Sequence, residues 1–286
     1  MTRPQPITNS LPGEEWAGAM GERWLAHLRQ FEGMISPVGQ VLLQRAAFRP
    51  GERVIDIGCG AGATSIDIAQ QVAPHGAVLG VDISPRLIEA AEERGRAENV
   101  TNVTFRCADA TTVSLEGARF DRLFSRFGLM FFTDARAAFA NLRTLLREGG
   151  RADFSVWAPA RENPWVTQVM GIIGQYVDLP APVPRSPGPF ALDDPDYVRE
   201  LLAYAGFKPP RIDSWQGEQP VGGPGASPEE AVAFVLDAMS FGEVLKESAP
   251  DILANVKTEL TQLFARNRSD AGILLWGKAH LVSAIA

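Results

Sequence analysis

The chain has 286 residues, 45% of them hydrophobic, with 27 Lys and Arg against 34 Asp and Glu and a formal charge of −7. That length allows one enlarged domain or a core with a lid, and the acidic balance gives no basic footprint for nucleic acid and no draw toward anionic lipid. No apolar stretch is long enough to span a bilayer, Met1–Pro6 lacks the pattern of a signal peptide, and the only cysteines, Cys59 and Cys107, are expected as free buried thiols of a cytoplasmic protein.

Residues 1–13 are rich in Pro, Asn, Ser and Gly and are expected to be loosely held. Trp16, Met20, Trp24, His27 and Phe31 then recur at helical spacing, and a second short helix is expected over 36–47 with Pro37 near its start. Pro50-Gly51 turns the chain into a β-branched run, Val54, Ile55 and Ile57, which suits a buried strand. Gly58, Gly60 and Gly62 follow, with a helix from Ala63 to Val72. Strand two covers 77–81 and ends at Asp82, and Ser84-Pro85 is a helix start with Ser as cap and Pro at the first helical position. Strand three covers 103–107 and ends at Asp109, strand four 120–125, and a helix begins at Thr133-Asp134 with Phe139, Leu142 and Leu146 inward. Gly149-Gly150 ends that helix, and strand five covers 151–157. Strands alternating with helices imply a parallel sheet with right-handed crossovers.

Beyond strand five, the pattern predicts a helix over 163–178 and an extended connector over 179–190, which holds five prolines. A helix over 194–205, a sixth strand over 210–215 and a loop over 217–225 follow. Ser227-Pro228-Glu229-Glu230 is a capping box opening a helix that carries Ala231, Phe234, Val235, Ala238 and Met239. A helix over 251–266 and a long last strand over 272–285 complete the chain.

Ligands of such sheets bind beyond the carboxyl ends of the strands, at the switch point. A strand, a glycine turn and a helix can carry a dinucleotide pyrophosphate at the helix N-terminus, and Gly58-x-Gly60-x-x-Ala63 can be fitted to that fingerprint. Asp56 weighs against it, because a carboxylate at the strand end repels phosphate and attracts the ammonium and sulfonium of S-adenosylmethionine (SAM). An isolated Asp after a strand is ordinarily a turn residue or cap. Three such acids, Asp56, Asp82 and Asp109, behind one glycine turn point to a site. Asp82, 24 residues beyond Gly58, stands where an acid accepts from a ribose diol.

Val-Ile-Asp-Ile-Gly-Cys-Gly-Ala-Gly (54–62) resembles the first motif of class I SAM-dependent methyltransferases, Gly-Val-Asp-Ile-Ser (80–84) the second and Cys-Ala-Asp-Ala (107–110) the third. Phe-Gly-Leu-Met-Phe-Phe (127–132), followed by a helix and Arg-Glu-Gly-Gly-Arg (147–151), is similar to the quinone and small-molecule branch of that family. The resemblance implies a seven-stranded, mostly parallel Rossmann-like α/β sheet with helices on both faces, whose last strand inserts antiparallel beside strand five. It implies a lid at 1–49, a SAM-binding core at 50–157, an insertion covering substrate at 158–190, and completion of the sheet at 191–286 with a helical insertion at 227–266. Asp56, Gly58, Cys59 and Gly60 would then face the methionine end of the cofactor. Asp82 would take the ribose, Ile83 the adenine face, and Asp109 and Ala110 the adenine edge, with Ser125 also at the cofactor. Trp24, Phe127 and Met130 would line the substrate pocket, although core packing is the ordinary role of such side chains.

Transfer of a methyl group from a sulfonium is an in-line displacement that positioning can drive, with a base optional. His27, on the aromatic face of the first helix, is the candidate base; His75 reads as a loop residue behind the sheet and His280 as part of the last strand. No His, Asp, Glu or Cys cluster has metal-ligand spacing. Asn163-Pro164-Trp165 resembles the amine-presenting signature of DNA and protein methyltransferases only superficially, since it follows strand five. The expected partners are SAM, leaving as S-adenosylhomocysteine, and a small-molecule acceptor, with no nucleic acid and with a homodimer left open. The rivals are a non-catalytic SAM-binding protein on the same fold and an NAD-dependent oxidoreductase.

Overall fold

The computed structural model describes residues 13–286 apart from 116 and 118; the N-terminal stretch expected to be loosely held lies, but for Gly13, outside them. One sheet gathers β1 (Arg53–Ile57), β2 (Ala77–Asp82), β3 (Val103–Cys107), β4 (Phe120–Arg126), β5 (Leu146–Trp157), β6 (Arg211–Val221), β7 (Arg268–Ser269) and β8 (Gly272–Ile285). Their order is β3-β2-β1-β4-β5-β8-β6, with β7 beside β8. The first five strands run parallel, and β8 inserts antiparallel between β5 and β6. Seven strands were expected; the eighth is the two-residue β7, which pairs with the start of β8.

Burial explains why the strands lie where they do. Val54, Ile55, Asp56 and Ile57 are all buried, as a central strand covered on both faces requires. β3 forms one edge, and Cys107 is exposed there, not buried as expected. Cys59 is buried.

Among the described residues ten α-helices accompany the sheet: α1 (Gly13–Ala17), α2 (Ala19–Ala26), α3 (Leu28–Ala46), α4 (Ala63–Val72), α5 (Pro85–Ala97), α6 (Ala135–Leu145), α7 (Pro164–Ile173), α8 (Pro195–Tyr204), α9 (Pro228–Ala233) and α10 (Pro250–Arg266). Both faces are covered. On one, the hydroxyls of Thr64 and Ser65 in α4 donate to Asp56, and Arg122 of β4 bridges Asp153 of β5 to the Ala46 carbonyl of α3. On the other, Phe139 of α6 meets Phe154 of β5 edge-on. Arg122 also pairs with Glu52, forming a buried ionic cluster that ties the C-terminal turn of α3 to the sheet. Removing one member of such a cluster costs about 3–5 kcal/mol.

The caps at Ser84, Asp134 and Ser227 form as read, the last with both bonds of its capping box. The N-terminal helices differ from the reading. α3 runs unbroken through Pro37, and the continuous aromatic face is split at Gly18 and His27 into α1, α2 and α3. The cost of the proline, a lost hydrogen bond and a ring crowding the Gly33 carbonyl, is offset by the burial of Phe31, Met34, Ile35, Val38, Leu42 and Ala46 on both sides of it. Strand six continues to Val221, through residues expected as loop, because its full length pairs with β8. The chain is already extended at Leu146, and α7 stops at Ile173. After α9 the chain tightens into a π turn at 234–238 and a 3₁₀ turn at 240–245 instead of continuing as one helix. Residues 179–190 contain neither helix nor strand, and Gly188 N–H donates to the Met130 carbonyl.

Candidate active site at the carboxyl edge of the sheet

The glycine turn after β1 holds three glycines for two reasons. Gly58, Gly60 and Gly62 all have positive φ, at 66°, 55° and 80°. A Cβ at Gly58 would lie 2.8 Å from Gly128 Cα, and one at Gly62 would lie 2.9 Å from Ala91 and from Phe105. A Cβ at Gly60 would meet nothing within 4 Å. The first and third glycines are therefore small for packing, and the second faces open space where a ligand can lie on bare peptide.

Asp82 fastens this turn. Its Oδ2 accepts from Gly60 N–H at 2.9 Å and its Oδ1 from Ser84 N–H at 2.9 Å. Burial raises its pKa against the pull of those N–H groups. Each oxygen keeps a second lone pair, so the carboxylate can still accept from a diol. Ile83 beside it is partly exposed. Asp109 is exposed, and its Oδ1 accepts from Thr111 N–H at 2.8 Å, while Ala110 is buried next to it.

Asp56 lies under the turn and is wholly buried. Its Oδ2 accepts from Thr64 Oγ1 at 2.8 Å and Ser65 Oγ at 2.7 Å, and its Oδ1 has no partner among the described residues. Burial pushes its carboxyl up to about 6, against the pull of Ser65, Thr64 and Arg126, with Asp82 adding to the rise. Cys59 and Ser125 are in the same region, but their side chains serve the framework. The thiol packs within 3.0 Å of where a Gly80 Cβ would stand, and burial pushes it up, with Asp82 and Asp56 adding to the rise. Ser125 Oγ donates to the Ile57 carbonyl at 2.7 Å, joining the ends of β4 and β1.

Aromatic rings gather beyond β4 and β5. Phe127 has a φ of 62°, rare for a bulky residue, and stacks on Trp157 with centroids 4.2 Å apart. Met130 is buried in the core, whereas its neighbour Phe131 meets Trp16 at 4.8 Å. Trp24 stacks on Phe31 at 4.1 Å, and Phe31 meets Phe234. His27 caps the junction of α2 and α3 and lies edge-on to Phe234 at 6.3 Å, with no hydrogen bond from its ring among the described residues. Residues 13–34 thus stretch between α5, the turn after β4 and the segments after β6. Glu22 pairs with Arg86, Arg23 with Glu243 and Glu32 with Arg94, and Gly33 packs on Pro224.

Two functional candidates were missed from sequence. Phe131 stands in a run of four large apolar residues, from which Met130 is the expected pocket residue; only the turn after β4 decides that Phe131 is the one that meets Trp16. Arg126 was passed over although it is the only charged residue between Leu123 and Phe132. Asn163 proves to be structural. Its amide donates to the Ala158 and Pro159 carbonyls, and its oxygen accepts from Trp165 Nε1 and Lys278 N–H. His280 is buried in β8, bonded to the Asp193 carbonyl, and burial lowers its pKa.

Residues 54–150 match a methyltransferase domain model. The chain is 34% identical over 120 residues to aklanonic acid methyltransferase DauC of Streptomyces sp. (strain C5), covering 42% of this chain and 54% of that one. It is 29% identical over 209 residues to nocamycin O-methyltransferase of Saccharothrix syringae, covering 73% and 65%. These alignments span about half to two thirds of the relatives' lengths. Among solved structures, the [4+2]-cyclase SpnF superposes with a TM-score of 0.58 at 14% identity, covering 96% of this chain and 97% of that one. At that identity the likeness is one of fold.

Proposed function

We propose that this chain, whose residues 54–150 match a methyltransferase domain model, is a class I SAM-dependent methyltransferase that moves a methyl group from SAM to a small-molecule acceptor. The observation that carries the reading is the open face of Gly60 beside Asp82 and above Asp56. A bare peptide cradle edged by acids suits a cationic, phosphate-free ligand. When bound, SAM would supply a methyl group on a sulfonium, which an acceptor lone pair would take in line as the carbon–sulfur bond breaks and the thioether leaves.

The chain's own part is placement and the exclusion of water. Asp82 accepts from the ribose diol, Ile83 lies on the adenine, and Asp109 and Ala110 take its edge. Residues 13–34 close the carboxyl edge with Trp16 and Trp24, and a dry site strengthens every electrostatic contact inside it. Alignment alone supplies an effective molarity of ~10⁵ M or more. Phe127, Phe131, Trp157 and the lid tryptophans form walls suited to a flat, apolar acceptor. This agrees with the quinone and small-molecule branch, and with relatives named for aklanonic acid and nocamycin. His27 would be the histidine to take the acceptor's proton, although among the described residues no carboxylate bonds its ring.

None of the described helices is long and apolar enough to cross a membrane. We place the protein in the cytoplasm on its unpaired cysteines, and a homodimer is tested by sedimentation. The function is tested by methyl release from labelled SAM with a panel of phenols, quinols and enolic ketones. Turnover of at least one acceptor is expected. SAM binding with no turnover on any of them favours the non-catalytic rival, and NAD binding in place of SAM overturns the reading.

A further inference from the structure

The methionine end of the site contains two groups of opposite charge that the protein leaves unmatched. Arg126 is the last residue of β4. Asp56 pairs in register with Phe124, so Arg126 stands one step beyond Asp56 on the same face, level with Gly58. Its side chain runs under α3, where a Cβ at Gly39 would lie 2.7 Å from Arg126 Cδ, so the bare helix surface leaves room for the guanidinium. Arg126 makes no hydrogen bond or ion pair among the described residues, although Glu32, Asp56 and Asp67 attract it and Arg94 repels it. Arg94 and Glu32 are already bonded to each other in two places. Beside it, Asp56 Oδ1 is buried and without a partner.

A buried unpaired oxygen and a guanidinium without a partner are both unfavourable in the protein alone. A ligand that ends in a zwitterion satisfies the two at once: an ammonium suits the Asp56 oxygen, and a carboxylate suits the five-donor fork of an arginine. We propose that Arg126 anchors the carboxylate of the cofactor's amino-acid end, with Asp56 facing the ammonium directly or through one water, so that this pair reads the zwitterion. The proposal rests on the SAM reading above and adds to it the residue that selects the intact amino acid.

Calorimetry with three thioether ligands tests it: S-adenosylhomocysteine, its decarboxylated analogue, and 5′-methylthioadenosine, which has neither charge. Arg126→Met is expected to weaken S-adenosylhomocysteine roughly tenfold or more and to leave the other two within about twofold. Asp56→Asn should weaken both ligands that keep the ammonium and spare 5′-methylthioadenosine. Arg126→Lys should recover part of the loss, and Gly39→Val, which crowds the guanidinium without removing charge, should reproduce the pattern of Arg126→Met. If Arg126→Met does not fold, the Lys and Val variants carry the test. Equal weakening of all three ligands would make Arg126 a mere support of the turn, and unchanged affinity for S-adenosylhomocysteine would overturn the proposal outright. Failure of the wild-type protein to bind any of the three would instead sink the SAM reading.

Discussion

Asp56 makes the folding stability of this protein depend on pH in a direction opposite to that of most carboxylates. Its pKa rises from 3.8 to about 6, first because burial penalises the charged form. The groups facing it are the hydroxyls of Ser65 and Thr64 on α4 and Arg126 on β4, which favour the charge, and Asp82 on β2, which opposes it. Cys59 on the turn keeps its proton in this range, since its own pKa is pushed well up. Between pH 3.8 and about 6 the folded protein keeps a proton that the unfolded chain has lost. Its stability therefore falls as pH rises through that window and levels off above it. The difference amounts to about 3 kcal/mol, of which about 2 kcal/mol lies between about pH 4.5 and 7.5. Asp56→Asn cannot ionise, and its amide adds a buried donor at a pH-independent cost of about 1–3 kcal/mol. Urea melts of both proteins without ligand should show the wild type losing about 2 kcal/mol relative to the variant over that interval. A difference independent of pH, or one that grows in favour of the wild type, would refute the placing of a charged Asp56 in a dry site.

Asp82→Ala should impair both ligand binding and folding, because it removes the acceptor of Gly60 and Ser84 N–H as well as that of the ribose. A melting temperature lower by several degrees and affinity for S-adenosylhomocysteine reduced roughly tenfold or more are expected; unchanged affinity would mean the ribose lies elsewhere. Gly60→Val should abolish binding of S-adenosylhomocysteine while costing only about 1–2 kcal/mol of backbone strain, since a side chain there meets no protein atom. Binding at wild-type strength in calorimetry would remove the ligand from this turn. Hydrogen exchange should slow in 14–34 as well as at the glycine turn when S-adenosylhomocysteine binds. Protection confined to the turn, with His27→Ala as active as wild type, would reduce the segment to a structural role.

What the sequence made legible was backbone chemistry. The turn at 58–62, the caps at Ser84, Asp134 and Ser227, and the acids at the strand ends are local signals, and each appears where its residues placed it. The failures came from partners distant in the chain. Pro37 marks a helix start when only its neighbours are considered, but the buried residues on either side carry α3 straight through it. Residues 217–221 look like loop until β8, more than fifty residues later, supplies their hydrogen bonds. Arg126 gives no local pattern at all, because the meaning of a single charge depends on what lies near it, and here that includes Asp56, one step back on the neighbouring strand.

The ionic cluster around Arg122 limits which part of the proposed lid is free to move. Arg122 and Arg151 both donate to the Ala46 carbonyl, and Arg94 grips Glu32 at the other end of the same helix, so α3 is a post fixed at top and bottom. No hinge is available near Gly33, where the chain is helical and wedged against Pro224. The break between α2 and α3 at His27 is the point above which the proposed lid would move, as a short door made of residues 13–26. That door is latched by Glu22 to Arg86, by Arg23 to Glu243 and by the contact of Trp16 with Phe131. Exposed ion pairs of this kind contribute about 0–1 kcal/mol each, and one edge-on ring pair about 1 kcal/mol beyond its buried area. On the function proposed above, an acceptor would enter between α2 and the turn at 128–131, with the close packing of Gly21 against Ser84 parting along with these latches while the sheet and the post stay in place.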